Sequence, residues 1–207
     1  MLIPFRQLAQ RYGMKPKGVL HVGAHYGQEA PEYEFIGCHR MIFIEAVPEI
    51  YEQLKKNIAP YMDAMAINVC ISDVDDQESD FHITNNEGQS SSLLELGVHA
   101  IEHPDVVVTE TRKMVTKRLD TLFKDMPLDC DLLNMDLQGA ELMALKGLGE
   151  RLNEFKWLYL EVNKAEVYKG NPFVEEIDAY VGQFGFKRVE TKGIGNFSWM
   201  DAFFVKA

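Results

Sequence analysis

Five short apolar runs, spaced by segments of helical periodicity, constrain this chain most. They are "GVLHV" (18–22), "MIFIEA" (41–46), "AMAINVCIS" (64–72), "DLLNMD" (131–136) and "KWLYLEV" (156–162). Each is apolar along most of its length rather than at alternate positions, the pattern of a strand covered on both faces. The intervening segments supply the cover. Gly27 to Phe35 reads as a helix with Pro31 near its first turn, and Pro48 opens a helix that keeps Ile50, Leu54 and Ile58 on one face. "GAELMALKGLGE" and "NPFVEEIDAYVGQFG" read as further helices. Strands alternating with helices predict an α/β fold, a mostly parallel sheet with helices on both faces. The end, "FKRVETKGIGNFSWMDAFFVKA", reads as two strands joined by a glycine-containing turn, placing an antiparallel strand at one edge.

Between the third and fourth runs the pattern loosens. "DFHIT" reads as a strand, "NNEGQSSS" as a polar loop, "SLLELGVHAI" as a short helix, and "KMVTKRLDTLF" as a strand running into a turn or short helix. The region from about Asp75 to Lys117 is expected to be an insertion over the top of the sheet. The start, residues 1–13, has helical spacing at Leu2, Phe5, Leu8, Ala9 and Tyr12 and reads as an amphipathic helix capping one edge; it lacks the pattern of a signal peptide. A length of 207 residues fits a single domain, 1–207. Lys and Arg number 21 against 32 Asp and Glu, a formal charge of -11, which argues against a sequence-independent nucleic-acid binder. No window is long and apolar enough to predict a membrane span. Cys38, Cys70 and Cys130 lack metal-ligand spacing and cannot all pair, so a reducing, cytoplasmic location is expected. Nothing in the sequence sets the oligomeric state.

Ligands of open α/β sheets collect beyond the carboxyl ends of the strands. There the first run ends in Gly23-Ala24-His25-Tyr26-Gly27 and the second in Glu45. A carboxylate so placed can receive both hydroxyls of a ribose. A dinucleotide fingerprint needs glycine where His25 stands, because the backbone must approach a pyrophosphate; a phosphate loop needs a following Gly-Lys-Ser/Thr. Both are absent. A nucleoside without phosphates fits better, and S-adenosylmethionine (SAM) is one. The glycines also admit a plainer reading, a tight strand-to-helix turn.

With Glu45 in place, the sequence resembles the FkbM-type methyltransferases, SAM-dependent enzymes of the Rossmann-like, seven-stranded class I fold that mostly methylate hydroxyl groups. The resemblance lies in "VLHVGAHYGQ", "FIEAVPEIYEQLKKNI", "SSSLLEL" and "LLNMDLQGAELMALKG", with weaker matches in "WLYLEV" and "DAFFV". It implies that Gly23, Ala24, His25 and Gly27 pass under the methionine part of SAM. It likewise puts Glu45 and Ala46 at the ribose, Cys70, Ile71 and Ser72 around the adenine, and Asp136 opposite the methyl donor. Three positions depart from the commoner pattern: His21 stands where an acid is frequent, Asn134 where a lysine is, and Gln138 where a glutamate is.

A hydroxyl acceptor needs a proton acceptor. Candidates are Asp136, Glu161 and His25. Asp136 could instead cap a helix, Glu161 could bind the acceptor or pair with a lysine, and His25 could shape its turn through a backbone carbonyl. Glu141 reads as structural, in the first turn of its helix. On the acceptor side the resemblance makes "NNEGQSSS" a lid, with Ser91 and Ser92 facing a polyol. Gln138, Asp201 and Trp199 complete the expected acceptor wall. His99 and His103, near Glu102 and Asp105, lack the remaining ligands of a metal site, and none is expected. The implied function is methylation of a hydroxyl on a carbohydrate or carbohydrate-containing metabolite, a small molecule or glycan. N-methylation of an amine, or SAM binding without catalysis, are the alternatives.

Overall fold

A computed structural model describes residues 1–207. In chain order its elements are α1 (Phe5–Tyr12), β1 (Gly18–Val22), α2 (Ala30–Phe35), β2 (Arg40–Glu45), α3 (Pro48–Ile58) and β3 (Asp63–Asn68). Then come β4 (Cys70–Ile71), β5 (Glu78–Thr84), α4 (His99–Glu102), β6 (Val108–Lys117) and α5 (Leu119–Leu122). The rest is β7 (Leu132–Met135), α6 (Glu141–Leu148) with a 3-10 turn at Gly149–Glu154, β8 (Trp157–Asn163), α7 (Val174–Gly182), β9 (Phe186–Gly193) and β10 (Trp199–Lys206).

Seven strands form one sheet in the order β3-β2-β1-β7-β8-β10-β9. β3, β2, β1, β7 and β8 are parallel, while β10 runs antiparallel to β8 and to β9. The terminal hairpin therefore inserts its second strand, leaving β9 at the edge. Successive residues of β1 serve opposite cores. Leu20 and Val22 pack with α6 and α7, whereas Val19 packs with α1, α2 and α3. Burial on both faces is why the runs are apolar without alternation.

The third apolar run is not one strand. Asn68 donates from Nδ2 to the carbonyls of Glu45 (2.8 Å) and Ala46 (2.9 Å), tying the chain to the end of β2. Beyond Val69, β4 leaves the main sheet and pairs with β6 in a second sheet, ordered β4-β6-β5. Nor is 92–101 a helix; only His99–Glu102 is. Its backbone groups are taken by distant partners, Ser92 by His82 and Gly97 by Val167. A side chain at position 97 would stand 2.3 Å from the Glu166 carbonyl, so this close approach requires Gly97. The second helix likewise starts late, at Ala30, because Gly23 to Gln28 form the turn at the end of β1. No helix is long and apolar enough to cross a membrane.

Candidate functional site

A cavity of about 450 Å³ opens beyond the carboxyl ends of β1, β2 and β7 and is walled on its far side by residues from 86 to 106. Its size suits a cofactor-sized ligand. Gly23, Ala24 and His25 form one side, Glu45 and Ala46 the next, and Cys70 and Ile71 follow. Asp136 and Gln138 face them from the end of β7, with Glu161, Asp201 and Trp199 from β8 and β10. Ser91, His99 and His103 close the mouth.

Gly23 has φ +79°, and a Cβ there would lie 1.8 Å from the Asp136 carbonyl oxygen. Only glycine lets the two loops approach so closely. His25 adopts φ +47° and points its N–H at Glu45 Oε2 (2.9 Å), while Val47 N–H donates to Oε1 (2.8 Å). Each oxygen of Glu45 thus keeps a lone pair free, the arrangement two vicinal hydroxyls need. Burial pushes the Glu45 carboxyl above its ordinary range, opposed by those backbone donors.

The His25 ring shapes the site. Gln28 Nε2 donates to its Nδ1 (2.8 Å), which leaves Nε2–H to donate to the Glu87 carbonyl (3.0 Å). The imidazole thereby links the cofactor-side loop to the insertion. His21 and Asn134 are direct neighbours across β1 and β7. Asn134 donates to the Tyr33 hydroxyl (2.6 Å), which meets His21 Nδ1 at 3.2 Å. Burial depresses the His21 pKa to about 3, so this relay is uncharged. Where the resembled pattern frequently has an acid and a lysine, this chain has a neutral histidine and asparagine linked through the Tyr33 hydroxyl.

The third wall is acidic. Gln138 Nε2 donates to Asp136 Oδ1 (2.5 Å) and to Glu161 Oε2 (2.6 Å), and its Oε1 accepts from the Tyr168 hydroxyl. Burial first, then the neighbouring Asp136, raises Glu161 well above the carboxylate range. Asp201 accepts from the Leu2 N–H (2.5 Å) and the Tyr159 hydroxyl, and burial raises its carboxyl too. Glu141 lies beneath, accepting the N–H groups of Leu137 (2.7 Å) and Gly139 (3.3 Å) at Oε1. It braces the loop and does not line the cavity. No lysine or arginine lines the cavity at all.

Three expected residues lie elsewhere. Gly27 faces α3, where a Cβ would meet Leu54 at 2.7 Å, so its glycine serves helix packing. Ser72 turns away from the cavity, its carbonyl against Gly147. Ser92 is buried and donates to the Gln138 carbonyl (2.8 Å), anchoring the insertion rather than facing a ligand. Gln138 itself has every amide hydrogen engaged by acids, so it organises the wall instead of offering free donors. No sequence motif marks Tyr168, Tyr159 or Glu29. Tyr168 lies in the aperiodic loop after β8, and its only sequence signal is that loops beyond parallel strand ends border the cleft. The His99 and His103 rings lie 4.9 Å apart, tilted by 45°, with His99 Nε2 3.0 Å from Ser90 Oγ.

The sequence profile of the methyltransferase FkbM domain matches residues 21–188. A curated relative, 2-O-methyltransferase NoeI of Sinorhizobium fredii, is 28% identical over 160 residues, covering 73% of this chain and 65% of that protein. This chain therefore spans just under two thirds of its relative. In fold it is similar to the crystal structure of methyltransferase FkbM from Methylobacillus flagellatus, with TM-score 0.59 and 13% identity over 91% of this chain and 43% of the other. It is also similar to Aeropyrum pernix fibrillarin, solved with natively bound SAM: TM-score 0.52 and 13% identity over 91% of this chain and 66% of the other.

Proposed function

The chain belongs to the FkbM methyltransferase family, and on that footing we propose that it transfers a methyl group from SAM to a hydroxyl oxygen of an uncharged carbohydrate or carbohydrate-containing metabolite. The observation that carries the cofactor half is Glu45, held by two backbone donors with a lone pair free on each oxygen. The cavity fits a phosphate-free nucleoside: no lysine or arginine lines it to meet a pyrophosphate, and His25 occupies the position a dinucleotide loop leaves to glycine.

Bound SAM supplies an electrophilic methyl group. The residues of this chain orient the two partners and receive a proton. Glu45 fixes the ribose, Gly23 permits the close approach of the two loops, and the acids of the third wall face the position of the acceptor. Proton acceptors are needed for a hydroxyl more than for an amine, and the site holds carboxylates in that role, which favours O- over N-methylation. The relative's printed name, a 2-O-methyltransferase, agrees with that choice. In this reading residues 1–207 act as one catalytic domain, with segment 75–117 as the acceptor-side wall. The three buried free thiols suit a reducing compartment such as the cytoplasm.

Calorimetry with SAM, S-adenosylhomocysteine and NAD tests the cofactor assignment. SAM and S-adenosylhomocysteine are expected to bind and NAD to give no heat. Folded protein that fails to bind SAM overturns the proposal.

A further inference from the structure

The third wall contains an arrangement that catalysis by two independent acids would not require. Asp136 directly follows β7 and Glu161 lies in β8, and the two strands are adjacent and parallel. A single amide bridges them: Gln138 Nε2 reaches Asp136 Oδ1 at 2.5 Å and Glu161 Oε2 at 2.6 Å. A primary amide has two N–H groups, so both are spent. The orientation of that amide is fixed from behind. The buried Tyr168 hydroxyl donates to Gln138 Oε1, and Ser92 Oγ donates to the Gln138 carbonyl at 2.8 Å. Gln138 also sits at φ +54°, a conformation unusual for a side-chain-bearing residue, and the surrounding bonds hold it there.

We propose that Gln138 is a positioning residue that ties Asp136 and Glu161 into one proton-accepting pair for the acceptor hydroxyl. This rests on the methyltransferase reading above. The pair works as a unit because both carboxyls bind the same amide nitrogen, which holds them side by side. Glu161, buried and beside Asp136, favours its protonated form. As the acceptor oxygen bonds to the methyl carbon, the carbon–sulfur bond of the donor breaks with its electrons going to sulfur. The hydroxyl proton passes to the ionised member of the pair, and S-adenosylhomocysteine and the methyl ether are the products. The charge lost from the sulfonium reappears as the proton on the pair. The other titratable groups facing the pair are Glu141 from α6, Tyr159 of β8, Asp201 of β10, Tyr168 from the loop after β8, Glu29 before α2, and His21 of β1. The Met1 α-amino group also lines the cavity and acts on Glu29 and Asp201, and no lysine or arginine joins it; the two amide hydrogens are the donors that touch the pair directly.

Gln138→Met keeps the length and removes the amide; Tyr168→Phe keeps the amide and removes what orients it. Both variants are compared with the parent in three measurements. Calorimetry reads SAM affinity, expected within about threefold of the parent. Carboxyl-carbon NMR of labelled Asp and Glu reads the titration of the pair. Losing the N–H donors disfavours the charged form, so Gln138→Met should move it upward by about one pH unit or more. Methyl transfer uses neutral hexose methyl glycosides as probes. There both variants should lose about tenfold or more in kcat with KM within about threefold, and the acid limb of the rate profile should move upward with the titration. An unchanged titration, or an unchanged kcat, overturns the positioning role. If SAM binds but no neutral glycoside is methylated by the parent, the pair has no hydroxyl to serve and this proposal falls while SAM binding stands. If SAM does not bind, the methyltransferase reading falls first.

Discussion

Two buried glutamates, Glu45 at the end of β2 and Glu141 at the start of α6, face opposite demands. Glu45 must stay ionised to receive hydroxyls, and two backbone N–H groups support its charge. Glu45→Ala removes the acceptor of the ribose, and hydrogen bonds to a charged group contribute roughly 1.5–3 kcal/mol each. SAM affinity by calorimetry should therefore weaken by at least about tenfold, while thermal melting shows a folded protein. Unchanged affinity would remove Glu45 from the ribose. Glu141 needs no charge. Burial and the nearby Asp136 raise its carboxyl from 4.5 to about 8, and both loop N–H groups converge on Oε1 alone. A carboxyl raised by folding stabilises the fold fully below its unfolded value, near 4.5, and loses that contribution as pH rises through about 8. Glutamine retains an Oε1 acceptor and never ionises. Glu141→Gln should gain melting temperature relative to the parent progressively between about pH 5 and 9. A difference that stays constant with pH would show that Glu141 is not carrying this ionisation cost.

At the scale of elements, glycines separate the contacts that hold the site from those that merely fill helices. Gly147 lies on α6, and a Cβ there would stand 2.2 Å from the Ser72 backbone carbonyl just after β4. Alanine improves helix propensity by up to about 1 kcal/mol, but the carbonyl can yield only by moving the strand. Overpacking costs about 1–3 kcal/mol and wins. Gly147→Ala should lower the melting temperature, whereas Gly182→Ala in α7, with nothing within 4 Å of its Cβ, should raise it slightly. A stabilised Gly147→Ala protein would disprove the close contact between α6 and the chain after β4. Such contacts also show what could be read from sequence. The strands of the parallel sheet announced themselves because burial on both faces forces continuous apolar runs. Gly23 and Glu45 were legible because strand ends are where ligands collect. The break at Val69 was hidden, since Asn68 binds carbonyls of the end of β2 that only the folded sheet brings near. The non-helical course of 92–98 was hidden for the same reason: its apolar spacing looks helical, but its backbone partners are Val167, Glu166 and His82. Tyr168 and the bridging role of Gln138 arise from packing between segments that share no local pattern.

At the scale of the whole molecule, charge acts through two routes that salt can separate. The formal charge of -11 repels anions from a distance, and that field is screened within about 10 Å at 0.1 M ionic strength. The cavity acts at contact. Glu45, Asp136, Glu161 and Asp201 line it with no lysine or arginine, and groups in partly desolvated surroundings are screened far less. A sugar phosphate or uronic acid would have to give up water there beside those carboxyl groups and without a lysine or arginine to pair with, at a cost an uncharged polyol does not meet. Neutral methyl glycosides should therefore be methylated at least about tenfold more efficiently, in kcat/KM, than their 6-phosphate or uronate counterparts. Raising the salt to about 0.5 M should relieve the long-range part and leave most of that preference in place. Efficient methylation of an anionic sugar would contradict the cavity argument outright. A preference that disappears in salt would assign selection to the surface field, leaving the residues around Asp136 and Glu161 with the chemistry but not the choice of acceptor.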